Sequence, residues 1–211
     1  MKGRNILITA GPTWVAIDSV RVISNTATGE NGSILANELA ARGAKVTLLL
    51  GPAEGLKINK KVKVLRFKFF GRLKELLLKE IRSDRYDCLI HSAAVSDYLP
   101  AKAIANKTGS GKKAWNIRLV PAPKLINLAR KAGKRLFLVG FKFEPGLKKS
   151  RLIEEAEDLQ KRSGADMVVA NNLSGRSHYQ AYILGTRGIL GKFDSKKTLV
   201  KAVSGELKRC L

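Results

Sequence analysis

Short apolar runs recur along this chain with helical patterns between them, and that alternation constrains the fold more than any other feature. The runs expected to form strands are Asn5–Thr9, Lys45–Leu50, Val62–Phe67, Asp87–Ser92, Trp115–Leu119, Leu136–Phe141 and Met167–Ala170. The expected helices are Ser33–Arg42, Arg72–Ile81, Pro123–Ala132, Ser150–Arg162 and Ser195–Cys210. Strands alternating with helices imply βαβ units, hence the α/β class and a largely parallel sheet. Near the carboxyl end the pattern changes. Tyr182–Leu184 and Ile189–Phe193 flank Gly185-Thr-Arg-Gly188, which reads as an antiparallel hairpin. Helix ends are legible too. Gly43 and Gly133 each follow a helical run and suit a left-handed C-terminal turn, and Pro123 suits a first helical turn. In the last helix Leu199, Val203 and Leu207 share one face, which should be buried. No internal repeat or low-complexity linker divides the 211 residues, a length that suits a single α/β domain over 1–211. The one long irregular stretch runs from Tyr98 to Lys113 and ends in polar, basic Asn106-Lys-Thr-Gly-Ser-Gly-Lys-Lys113. Loops of that length are functional lids or disorder.

Composition narrows the class. Cys88 and Cys210 lie far apart and no C-x-x-C occurs, so neither a zinc site nor a disulfide framework is indicated. A reducing compartment follows. The chain has no signal-peptide pattern and no apolar run near the ~18 residues a membrane span needs, so a soluble, cytoplasmic protein is expected. The net charge of +23 is unusual and uneven. Residues 57–85 hold 11 Lys/Arg against 3 acids, and residues 99–150 hold 13 against 1, Glu144. A solvated basic surface is the plain reading. Nucleic-acid affinity is the rival, since Lys and Arg contacts to phosphate dominate non-specific binding. Against it, no helix-turn-helix, RRM or KH pattern appears and aromatics make up only 6%. A cleft for anionic small molecules is a third reading, although a cleft needs only a few of these charges.

The chemistry-bearing motifs sit where strands end. The first apolar run stops abruptly in Gly11-Pro12-Thr13. In open α/β sheets, ligands bind at the carboxyl ends of such strands. No G-x-G-x-x-G follows, the next glycines being Gly29 and Gly32, so the usual dinucleotide turn is absent. An NAD-dependent oxidoreductase of this fold class is disfavoured for the same reason. Ile17-Asp-Ser-Val-Arg-Val-Ile-Ser-Asn25 comes next. Later, His91-Ser-Ala-Ala-Val-Ser-Asp97-Tyr98 places small residues at a strand end, where a ligand can approach the backbone, with Asp97 poised for a ribose hydroxyl or a cation.

Taken in order and at this spacing, these motifs resemble phosphopantothenoylcysteine synthetases, a family that joins 4'-phosphopantothenate to L-cysteine. That family opens with a strand, G-G/P-T and I-D-x-V-R-x-I-S-N, and continues with A-A-V-x-D-[YF], P-x-P-[KD]-I-[IL], V-G-F-x-x-E and D-x-[IV]-V-A-N-D. Matching segments here are His91–Tyr98, Pro121–Ile126, Val139–Glu144 and Asp166–Ser174. The resemblance implies a three-layer Rossmann-like fold with a mostly parallel sheet and a C-terminal antiparallel hairpin. It implies a nucleoside-triphosphate-dependent ligase working through an acyl-nucleotide, with Mg²⁺ and without flavin. Bacterial members use CTP and eukaryotic ones ATP. The prokaryotic look of the opening motif and the short loops points to CTP before ATP. A homodimer is implied, with the C-terminal hairpin as a candidate interface.

Residue roles carry over from the same resemblance. Asn25 would hold the activated acyl group, a neutral amide being able both to donate and to accept. Lys107, ten residues after Asp97, would neutralise phosphate charge from a mobile flap. Gly11, Ser92, Ala93, Ala94 and Asp97 would bind the nucleotide, Asp97 also serving the metal. Pro123, Lys124 and Leu125 would approach the nucleotide through a helix start, and Phe141 would lie against the base. Some positions depart from the family pattern. Trp14-Val-Ala16 replaces R-E-P, and Ala27-Thr-Gly-Glu-Asn-Gly32 replaces S-S-G-K-M-G. Leu159 and Ser163 stand where bacterial members carry lysines. A basic nucleotide- or nucleic-acid-binding protein without ligase activity is the alternative function.

Overall fold

A computed structural model describes residues 1–102, 105–174 and 178–211. Ala103 and Ile104, inside the long irregular stretch, lie outside the described residues. The strands are β1 (Asn5–Ala10), β2 (Trp14–Ala16), β3 (Val22–Ser24), β4 (Lys45–Leu50), β5 (Lys63–Arg66), β6 (Cys88–His91), β7 (Tyr98–Pro100), β8 (Leu119–Pro121), β9 (Phe137–Phe143), β10 (Met167–Ser174), β11 (His178–Gly185) and β12 (Gly188–Phe193). The helices are α1 (Glu30–Ala41), α2 (Phe70–Arg82), α3 (Leu125–Ala132), α4 (Lys149–Ser163) and α5 (Lys196–Cys210).

Eight strands form one sheet in the order β12-β11-β10-β9-β6-β1-β4-β5. Six of them, β5 to β10 across the sheet, are parallel, and β11 and β12 close the other edge antiparallel. Counting only the parallel strands in chain order, their arrangement is the doubly wound 3-2-1-4-5-6. Helices cover both faces. Leu73, Leu77, Leu125, Ala129, Leu152 and Ala156 of α2, α3 and α4 pack on one side, and Leu35, Leu39, Leu199 and Val203 of α1 and α5 on the other. This is why β1 reads as an unbroken apolar run: with both faces covered, Ile6, Leu7 and Ile8 are all 0% exposed. The Rossmann-like three-layer expectation holds, including the antiparallel end.

Three expectations need correction. Trp115–Leu119 is not a strand of the main sheet. The nearest strand, β8, pairs only with β7 in a separate two-stranded ribbon. A central parallel strand must be apolar on both faces, whereas Asn116 and Arg118 alternate with apolar residues and stay exposed. Gly133 is not left-handed; its φ is −125°. It is needed for space, because a Cβ there would stand 2.8 Å from Ile81 Cγ2 of α2. Pro123 lies outside α3, which is capped by extended Lys124, since the Ala122 N–H bond to the Asp97 carbonyl holds the preceding chain extended. Gly43 behaves as expected at φ +86°. Helix α1 begins three residues earlier than expected, from left-handed Gly29. The Leu199, Val203 and Leu207 stripe is buried, at 1%, 0% and 0% exposed.

Candidate active site

In the doubly wound order, β1 and β6 are neighbours from which the chain departs in opposite directions, opening a crevice beyond their carboxyl ends. Two expected segments meet there. Ala94 N–H donates to the Gly11 carbonyl at 3.0 Å, and Thr13 N–H donates back to the Ala94 carbonyl at 3.2 Å. Ala93 N–H donates to Thr9 Oγ1 at 3.1 Å, and the same hydroxyl lies 2.9 Å from His91 Nδ1. The backbone packs too closely here for side chains. Gly11 has φ +81°, a Cβ on Gly51 would lie 2.3 Å from the Pro12 carbonyl oxygen, and one on Gly32 would lie 2.6 Å from Ala10 Cβ and 3.2 Å from Ser92 Oγ. Gly11, Ser92, Ala93 and Ala94 therefore form one surface, against the N-terminal turn of α1.

Asn25 joins this surface from outside the sheet. Strands β2 and β3 form a small hairpin, Trp14 opposite Ser24, that the sequence reading missed. Its three-residue strands are too short for an alternation signal. The hairpin delivers Asn25 so that its Nδ2 donates to the Ala94 carbonyl at 3.1 Å. Ser96 N–H donates to Thr13 Oγ1 at 2.9 Å, securing the same junction.

Asp97 and Lys124, expected as separate contacts, meet each other. Lys124 Nζ donates to Asp97 Oδ1 at 2.6 Å, with the side chains 57% and 65% exposed. Such an exposed pair contributes at most about 1 kcal/mol, so a ligand can displace it. Leu125 faces the core at 2% exposed, so what it offers is its backbone N–H in the first turn of α3. Among the described residues no three Asp, Glu, His or Cys side chains gather into a metal cage. Asp97 alone fits an Mg²⁺ that arrives already held by a triphosphate, the usual habit of that ion.

Lys107 is exposed in the segment between β7 and β8. The next residue is anchored. Thr108 N–H donates to Asp18 Oδ2 at 3.0 Å, and Arg21 Nη1 donates to the Thr108 carbonyl at 3.2 Å. Arg21 also donates to Asp18 Oδ2 at 2.5 Å and stacks 5.0 Å from the Trp115 ring. Burial pushes the Asp18 carboxyl up, but N–H bonds from Val20, Thr108 and Arg21 and the Arg21 guanidinium outweigh it and bring the pKa down to about 2. Along the sequence Asp18 and Arg21 stand out only as motif letters. The signal available was the Asx-turn pattern, an Asp followed two residues on by the N–H it binds.

Phe141 stands apart from α3. It packs against the α1 and α5 core, on the opposite face from Leu125. Glu30, where a lysine is common, pairs with Lys196 of α5. Leu159 packs toward Gly140, and Ser163 is buried and donates to the Leu159 carbonyl, so neither position supplies the positive charge of a lysine. The Tyr-x-x-x-Lys spacing that an NAD-dependent oxidoreductase would want does occur, at Tyr98 and Lys102, but Tyr98 lies in β7 and Lys102 in a bend beyond it, so the spacing does not pair the side chains as it would on a helix. Beside the crevice runs a shallow basic hollow bordered by Gly51, Arg66, Lys68, Phe69 and Arg72.

Residues 1–190 match the family described as DNA/pantothenate metabolism flavoprotein C-terminal domain. The chain is similar to the coenzyme A biosynthesis bifunctional protein CoaBC of Thermococcus kodakarensis, 31% identical over 216 aligned positions that cover 100% of this chain and 52% of the relative. It thus spans about half the length of the curated relatives it matches. The crystal structure of the DNA/pantothenate metabolism flavoprotein from Streptococcus pneumoniae superposes with a TM-score of 0.87 at 23% identity, covering 99% of this chain and 100% of that one. A Cab2 variant solved in complex with phosphopantothenate-cysteine superposes with a TM-score of 0.75 at 16% identity, covering 96% and 87% of the two chains.

Proposed function

The chain belongs to the DNA/pantothenate metabolism flavoprotein C-terminal domain family, and we propose that it is a ligase, one domain over 1–211, joining 4'-phosphopantothenate to L-cysteine. The observation that carries this reading is the bond from Asn25 Nδ2 to the Ala94 carbonyl. It brings the amide of one family motif onto the strand end that carries another, at the crevice where this fold binds ligands. The complex of the Cab2 variant with phosphopantothenate-cysteine supports the substrate class.

The reaction has two steps. The substrate carboxylate attacks the α-phosphorus of a nucleoside triphosphate, giving an acyl-nucleotide and releasing pyrophosphate. The cysteine amine then attacks the acyl carbon, forming the amide, losing a proton and releasing the nucleoside monophosphate. No protein nucleophile is needed; the site positions reactants and stabilises charge. Asn25 donates to the acyl oxygen as negative charge develops. Lys107 neutralises phosphate oxygens. Gly11 and Ser92–Ala94 admit the nucleotide to the backbone, Asp97, released from Lys124, would hold a ribose hydroxyl or the metal ion, and beyond Pro123 the Lys124 and Leu125 N–H groups at the α3 start face anions. Phe141 gives the base an apolar neighbour. Mg²⁺ supplies charge neutralisation of the triphosphate when bound. The triphosphate is CTP before ATP, and the domain uses no flavin.

The active form is a homodimer in the cytoplasm. Exposed Ile189 and Leu190 on β12 support the C-terminal hairpin as the interface, with Val20, Val22 and Ile23 on the β2–β3 hairpin a second apolar surface. The test is product formation from 4'-phosphopantothenate, L-cysteine and Mg²⁺ with CTP or ATP. Phosphopantothenoylcysteine together with CMP is expected. AMP instead would correct the nucleotide alone, and no amide product with either nucleotide would overturn the reading.

A further inference from the structure

Asp18 is a carboxylate with a side chain 0% exposed, an arrangement proteins rarely keep without a full set of partners. It has that set. Oδ1 accepts the Val20 and Arg21 N–H groups at 2.9 and 2.8 Å, and Oδ2 accepts Arg21 Nη1 at 2.5 Å and Thr108 N–H at 3.0 Å. Three of these donors belong to its own turn. The fourth reaches 90 residues along the chain, to the residue bonded to Lys107. Because Arg21 Nη1 also binds the Thr108 carbonyl, both backbone polar groups of Thr108 are held by one Asp–Arg pair.

We propose that Asp18 is a positioning residue for Lys107. A lysine ammonium rides on a flexible stem, so its location is set by its backbone. Asp18 fixes that backbone through Thr108. It does so from the β2–β3 hairpin that also delivers Asn25, so the amide and the ammonium share one frame. Held below the usual carboxylate range, Asp18 stays ionised across neutral pH and serves as a constant anchor. The proposal rests on the ligase reading for what Lys107 does, but not for what holds it.

The test compares full-length wild type with Asp18→Asn, Lys107→Gln and the double variant. Lys107→Gln is expected to lower kcat by roughly 100-fold or more, as loss of a charge-stabilising donor does. Asp18→Asn, which misplaces the same group, should lower kcat by about 10- to 100-fold with the cysteine KM little changed. The double variant should be no worse than Lys107→Gln within about threefold, because Asp18 acts through Lys107. Fully additive losses would overturn the proposal, since a merely structural role adds. Trypsin cleavage after Lys107, Lys112 and Lys113 gives a readout independent of turnover. It should quicken in Asp18→Asn, and an unchanged rate overturns the proposal whatever the activity. Quicker cleavage in a protein whose wild type forms no product would refute the ligase reading while leaving Asp18 as the anchor. If Asp18→Asn does not fold, Thr108→Pro deletes the same hydrogen bond from the exposed side, and cleavage at Lys112 and Lys113 is read in its place.

Discussion

His91 shows how a residue beneath the crevice can govern behaviour without touching a ligand. Burial lowers its pKa from 6.5 to about 4, so the folded protein holds it neutral. The unfolded chain binds the proton more tightly, and stability therefore rises with pH between those two values. It is fully present above pH 6.5 and is lost as pH falls toward 4. A shift of this size corresponds to roughly 3 kcal/mol. Denaturant unfolding of wild type should show a loss of that order between pH 7 and 4, and His91→Asn should lose much less. Equal slopes would contradict this assignment. In the sequence His91 was only a letter at a strand end. The pairings that assemble the candidate site are non-local: Thr9 with His91, Asn25 with Ala94, Asp97 with Lys124, Asp18 with Thr108. Spacing along the chain carried none of those four partnerships, although the family resemblance had singled out Asn25, Asp97 and Lys124 individually.

Among the elements, α1 is the most constrained. Gly32 lies in its first turns, and a Cβ there would press on Ala10 and Ser92. Gly32→Ala should push α1 away from the strand ends, lowering the melting temperature and weakening nucleotide binding together. At about 2–4 °C per kcal/mol for a chain this long, a 1–3 kcal/mol overpacking penalty lowers Tm by several degrees. An unchanged Tm with unchanged nucleotide affinity would show that the turn relaxes freely. Element legibility followed burial. Buried parallel strands such as β1 and β4 announced themselves, because covering both faces demands continuous apolar sequence. The β2–β3 hairpin and the β7–β8 ribbon did not, because three-residue strands outside the sheet leave no period to read. Gly133 was legible as special but for the wrong reason, its constraint being the neighbouring α2 side chain rather than its own backbone angle.

For the molecule as a whole, the fold class and strand alternation were legible, while the charge of +23 still exceeds what the crevice needs. Part of it is internally matched, as in Lys142 with Glu144 and Glu155, Lys196 with Glu30, and Arg130 with Asp166. Arg72 pairs with Glu75 as well, while Arg66 and Lys68 border the hollow beside the crevice, where positive charge would attract anionic substrates. Raising ionic strength from about 0.01 to 0.15 M shortens the screening length from ~30 to ~8 Å, so kcat/KM for phosphopantothenate should fall while kcat stays level. A salt-independent kcat/KM would detach the basic surface from catalysis. Sub-micromolar duplex DNA binding at physiological salt would favour a nucleic-acid role instead. The ligase reading itself makes one demand before cysteine is involved: the triphosphate must be split only when the carboxylate is there to attack it. The decisive measurement is pyrophosphate release in the presence of Mg²⁺ and CTP or ATP, with and without 4'-phosphopantothenate, cysteine being omitted. Release that requires 4'-phosphopantothenate and stops near one equivalent of enzyme, resuming when cysteine is added, is the predicted result. No release with either nucleotide, or release indifferent to 4'-phosphopantothenate, would contradict it.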